Sequence, residues 1–103
     1  MTSPHPSPAP QEIIAQLRLV LPEVRAKFGV SRLSLFGSAA RGEMDETSDI
    51  DLLVEFDQVP GFFQFVELED LLSRVLRRKV DLVLRQALRP RIGQRVLGEA
   101  LPI

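Results

Sequence analysis

The sequence predicts a small α/β domain, a mixed β-sheet with helices packed against it. Three observations carry that prediction. Short apolar runs of strand length, Arg32–Phe36, Ile50–Phe56 and Val80–Leu84, recur along the chain. Stretches with helical spacing separate them, and strands alternating with helices imply packed layers. A chain of 103 residues, 45% hydrophobic and 26% charged, builds one ordinary core and leaves no room for a second lobe.

The elements follow in order. Residues 1–10 place proline at every second position from Pro4 to Pro10, a composition that reads as a disordered or polyproline tail containing His5. The folded domain is expected over residues 11–103. From Gln11 to Phe28, Ile13, Ile14, Leu17, Val20, Leu21 and Val24 recur at helical spacing; Pro22 starts a second short helix or kinks the first, and Gly29 ends it. A strand over Arg32–Phe36 leads into a short helix from Ala39 to about Glu43, then a strand over Ile50–Phe56. Pro60-Gly61 marks a turn. Phe62, Phe65, Val66, Leu68, Leu71, Leu72, Val75 and Leu76 line a helix ending near Arg77-Arg78. Val80–Leu84 is the third strand. Pro90 opens a last helix whose apolar side is Ile92, Val96 and Leu97.

Composition excludes several classes. There is no cysteine, hence no disulfide framework or thiolate metal site, which fits a reducing cytoplasm. No apolar run approaches the roughly 18 residues of a membrane span, and no signal peptide is expected. The net charge of −1 hides a polarised distribution. Residues 43–57 hold seven acids and no base, a cluster suited to a divalent cation; residues 74–95 hold eight basic residues and one acid, Asp81. The basic stretch suits an acidic partner or a solvated helix face, but a nucleic-acid footprint usually makes the whole domain basic, so no direct nucleic-acid binding is expected.

The chemistry concentrates at Gly37-Ser38 and, ten residues on, Asp49-Ile50-Asp51. Strand alternation puts Asp49 and Asp51 on one face and Ile50 and Leu52 on the other. Two carboxylates at the opening of a buried strand are costly unless a cation sits between them. A Gly-Ser turn at a helix start can hold phosphate through backbone N–H groups; it can equally be a plain turn with a serine cap. Arg41, one helical turn on, reaches a phosphate or pairs with a local acid. Ser48 steadies the turn into the acidic strand, whereas Glu43, Asp45, Glu46 and Thr47 read as a solvated loop. If the third strand pairs beside Ile50–Phe56, Asp81 joins Asp49 and Asp51. Three convergent carboxylates suit two magnesium ions about 3.5–4 Å apart in phosphoryl transfer. Otherwise Asp81 is a strand-edge acid paired with Lys79 or Arg78.

The string GSAARGEMDETSDIDLLVEF, the later KVDLVL and the end LRPRIGQRVLGEALPI together resemble the minimal nucleotidyltransferases, the MntA antitoxin type, of the DNA polymerase β-like nucleotidyltransferase superfamily. The resemblance covers residues 11–103 and implies the polymerase β-like fold. It implies that Asp49 and Asp51 ligate both Mg²⁺ ions, that Asp81 completes one ion's shell and orients the attacking hydroxyl, and that Gly37 and Ser38 hold the β and γ phosphates of ATP. By the same resemblance AMP passes to a hydroxyl, a tyrosine, of a HEPN-type toxin, with which the chain forms a hetero-oligomer.

The chain itself has no tyrosine, so a tyrosine acceptor must be modified in trans. Two other readings compete: a contact-only antitoxin that neutralises its partner without turnover, and an antibiotic-modifying nucleotidyltransferase, disfavoured by length. The intact trio of aspartates favours catalysis. Phe62 and Phe65 are expected in the core, and Phe63 on the surface.

Overall fold

The computed structural model describes residues 9–45 and 47–103. Most of the expected proline-rich tail, His5 included, and Glu46 lie outside the described residues.

Helix α1 runs Pro10–Phe28 as one element, with Pro10 in its first turn, where a missing N–H costs nothing. It begins one residue earlier than the helical spacing predicts and continues through Pro22, so no second helix starts there. Ile13, Leu17, Val24 and Phe28 form its buried stripe. Gly29 closes it in the left-handed region (φ 72°), donating its N–H to the Arg25 carbonyl.

Strand β1 (Val30–Phe36) then enters the sheet, and α2 (Gly37–Arg41) follows without a linker. Strand β2 (Ile50–Phe56), helix α3 (Phe62–Leu76) and strand β3 (Val80–Leu84) come next. A 3₁₀ turn over Arg85–Ala87 leads to α4 (Pro90–Glu99) and a two-residue strand, β4 (Leu101–Pro102). The sheet order is β3-β2-β1-β4. β1 is antiparallel to β2 and to β4, while β2 and β3 are parallel and joined through α3. This is the predicted α/β architecture, a mixed sheet with flanking helices. β4 is not anticipated by the sequence, because two residues ending in proline carry no strand period; Pro102 is tolerated there because the strand is an edge.

The core lies on one face of the sheet. Ile50, Leu52, Val54 and Phe56 of β2, Leu33 and Leu35 of β1, and Val80 and Leu82 of β3 are buried against Leu17 and Val24 of α1 and Leu68 and Leu72 of α3. Phe65 packs on this core and tilts against Phe56 at 6.3 Å. Phe62 does not join it. In the first turn of α3 it is 75% exposed and meets the ring of the exposed Phe63 edge-on. The buried stripe of α3 starts only at Leu68, so its first turn overhangs the packed layer. Helix α4 also departs from expectation: none of its residues is buried, with Ile92 and Leu97 largely exposed. It packs beside the short α2, which is too small to cover an apolar stripe.

Candidate active site

The odd-numbered residues of β2 turn away from the core, and this face collects the acids. Asp51 stands opposite Asp81 in the parallel β2–β3 register. On its other side Asp51 pairs with Phe36, the residue before the Gly37-Ser38 turn. One strand therefore brings the turn and the third aspartate to the same carboxylate. Burial pushes the Asp51 carboxyl above its ordinary range; the charges of Asp81 and then Asp49 push the same way, and the Arg41 guanidinium opposes them.

Gly37 adopts φ 71°, and a Cβ at this position would collide with Asp51 Oδ2 and stand 3.3 Å from its Cγ. Only glycine lets the turn approach so closely. Ser38 does not cap α2: Phe36 occupies the cap position, with no side-chain cap bond, because the helix begins two residues earlier than predicted. The side-chain hydrogen bonds of the described residues leave the Ser38 hydroxyl available. Arg41 takes the second course open to it, pairing with Glu43 (3.0 Å) and with Glu99 of α4 (3.2 Å).

Asp49 comes within 3.8 Å of Lys79 Nζ, an exposed pair. Among the described residues no ion pair involves Asp81, so its expected alternative pairing with Lys79 or Arg78 is not formed. The loop before Asp49 is more ordered by its own bonds than its composition suggests. Thr47 donates its hydroxyl (2.8 Å) and its amide (2.9 Å) to Asp45 Oδ1, and the Ser48 hydroxyl donates to the same oxygen (3.0 Å). These bonds hold Asp45 below the usual carboxylate range. Ser48 thus steadies the turn as predicted.

Sequence periodicity missed the supports of β3. The Val80 amide donates to Ser73 Oγ (3.0 Å), and the Leu82 amide to Glu69 Oε2 (3.0 Å). The two amides flanking Asp81 are thus held by side chains of α3, four residues apart and so on one helix face. That spacing is the only sequence signal that could have suggested it.

Among the described residues, no three His, Cys, Asp or Glu side chains are so arranged that they could hold a metal ion by themselves. The donor chemistry nonetheless fits a hard divalent cation: all three candidate ligands are carboxylates, and Asp51 is raised by burial and then by the charges of Asp81 and Asp49. Mg²⁺ usually takes only one or two carboxylates and completes its shell with water and substrate phosphates, so an open arrangement suits it.

A strand, a glycine-tight turn and an acidic parallel strand pair define a class. Residues 17–102 match the nucleotidyltransferase domain model, and the chain belongs to that family. Its closely similar relatives include the protein adenylyltransferase MntA of Thermococcus cleftensis, 41% identical over 91 residues, 88% of this chain and 92% of that one. A solved structure provisionally described as a minimal nucleotidyltransferase superposes with a TM-score of 0.81 at 36% identity, covering 98% of this chain and all of that one. A chain from the complex of a tri-AMPylated Shewanella oneidensis HEPN toxin with its MNT antitoxin matches with a TM-score of 0.58 at 25% identity, covering 90% and 66%. The protein is therefore an enzyme of nucleotidyl transfer.

Proposed function

We propose that this protein transfers AMP from ATP to a hydroxyl, a tyrosine, of a partner HEPN-type toxin and so acts as the antitoxin of a pair in the cytoplasm. The observation that carries the reading is the Asp51–Asp81 register beside the Gly37 turn. Similarity to an adenylyltransferase and to a chain of an AMPylated toxin complex supports the choice of AMP and of a protein acceptor. The absence of tyrosine requires the acceptor to come from another chain.

Asp49 and Asp51 would hold two Mg²⁺ ions, with Asp81 completing the shell of one. When bound, the ions neutralise charge on the phosphates and polarise the attacking and leaving oxygens. The backbone N–H groups at Gly37 and Ser38, with the Ser38 hydroxyl, would cradle the β and γ phosphates. Asp81, exposed at the sheet edge, orients the incoming hydroxyl and takes its proton. The hydroxyl oxygen forms a bond to the α-phosphorus in line with the breaking bond, and pyrophosphate leaves with that electron pair. Positioning and charge supply the rate. Arg41 contributes to phosphate binding if substrate draws it from Glu43 and Glu99.

The test mixes the protein with Mg²⁺, α-labelled ATP and the product of the adjacent gene as the candidate toxin. Label should appear on the toxin and vanish with Asp49→Asn or Asp51→Asn. If both variants leave the toxin fully neutralised, neutralisation is by contact and catalysis is not its mechanism. Label on an aminoglycoside but not on protein would instead favour an antibiotic-modifying enzyme.

A further inference from the structure

We infer that Arg78 is a positioning residue of the acidic site, a latch that fixes the turn delivering Asp49 to the strand pair. The inference rests on the nucleotidyl-transfer reading above and deepens it. Arg78 lies in the corner between α3 and β3. Its Nη2 donates to the Asp45 carbonyl at 2.6 Å and to the Ser48 carbonyl at 2.9 Å. One guanidinium nitrogen thus ties both ends of a turn that lies 30 or more residues away in sequence.

The same corner holds the next backbone position. The Lys79 carbonyl accepts from the Ile50 amide at 2.9 Å. Asp49 therefore sits between two anchored residues, Ser48 held by the Arg78 side chain and Ile50 by the Lys79 backbone. The bonds from Thr47 and Ser48 to Asp45 shape the turn internally, but they do not set where it stands relative to β3. The contacts with Arg78 and Lys79 do, and β3 carries Asp81.

The chemistry of the two basic residues divides the work. Lys79 is paired by charge alone, 3.8 Å from Asp49 and highly exposed, so an entering dication displaces it readily. The Arg78 side chain instead donates to two carbonyl oxygens, which no cation at the carboxylates needs to displace. A planar, permanently charged fork suits a fixed strut better than a mobile ammonium does.

The test uses the full chain with Arg78→Met and Arg78→Lys. Mn²⁺ binding in the presence of a non-hydrolysable ATP analogue is followed by electron paramagnetic resonance, and amide exchange is followed along the chain. The latch predicts Mn²⁺ affinity about tenfold or more weaker in R78M, the scale of losing an outer-shell partner. Faster exchange should be confined to the segment 45–50. R78K should be intermediate, and added guanidinium ion should restore part of the affinity of R78M but not change wild type. Unchanged affinity and exchange in both variants overturns the latch, as does exchange raised evenly over the domain, which would mark a general stability role. Should R78M fail to fold, the comparison of R78K with wild type decides in the same terms. A wild type that binds no Mn²⁺ overturns the functional reading and the latch together, whereas label transfer that survives in R78M at wild-type Mn²⁺ affinity overturns only the latch.

Discussion

The backbone of Gly37 lies directly against the carboxylate of Asp51, so closely that a Cβ at position 37 would overlap Oδ2. Residue 37 also sits at φ 71°, where an L side chain costs roughly 1–2 kcal/mol. Gly37→Ala should therefore lose at least that much stability in urea unfolding. Label transfer should fall more than tenfold even when corrected for the folded fraction, because the turn must retreat from the carboxylate.

The ionised Asp51 carboxylate carries an electrostatic cost in the folded state. Its folded pKa is raised above the ordinary 3.8, so the folded state holds the proton more tightly than the unfolded chain. The favourable term is fully present below the unfolded value and is lost as pH rises through the folded value. Asp51→Asn removes this loss. Without divalent cation at neutral pH its melting temperature should exceed that of wild type, and the difference should close in acid. AMP transfer should vanish. A variant no more stable than wild type at pH 7 would contradict the electrostatic account.

Arg41 is held between Glu43 and Glu99. Exposed, solvent-screened pairs of this kind contribute little, so a triphosphate can compete for the guanidinium. Glu99→Gln should lower the KM for ATP a few-fold, and Arg41→Met should raise it with a smaller change in kcat. If neither moves KM, Arg41 is a structural link between α2 and α4.

Glu69 accepts from the Leu82 amide on β3, an edge strand of the sheet. Glu69→Ala should cost about 1–3 kcal/mol, the scale of a donor left unpaired, while Glu69→Gln keeps an oxygen acceptor and should cost less. An uncovered edge invites pairing with another chain. Light scattering during refolding should rise for the alanine variant.

Arg77 closes α3 in the left-handed region at φ 54° without being glycine. Arg77→Gly should raise stability by about 0.5–1 kcal/mol in denaturant unfolding, because that conformation favours glycine. Transfer activity should be unchanged.

Much of the site is legible before the fold. The spacing from Gly37-Ser38 to Asp49 and Asp51 is local in sequence, and strand alternation alone assigns both acids to one face. Phe62 and α4 escape such reading because helical periodicity names an apolar face without saying whether anything lies opposite it. Ser38 is not the cap its residue type suggests, because the position of a helix start depends on backbone geometry within a residue or two.

The sequence by itself determined the three longer strands, the helical segments around them, their order and the chemical character of the site, but not β4, because propensity, periodicity and charge act over a few residues. Only tertiary structure decided that β3 lies parallel to β2 with Asp81 opposite Asp51, and that Gly37 presses on the same carboxylate. It alone revealed Arg78 reaching back 30 or more residues to the turn before Asp49. Register and reach of this kind depend on how the crossover through α3 packs on the sheet, and no local window of residues contains that information.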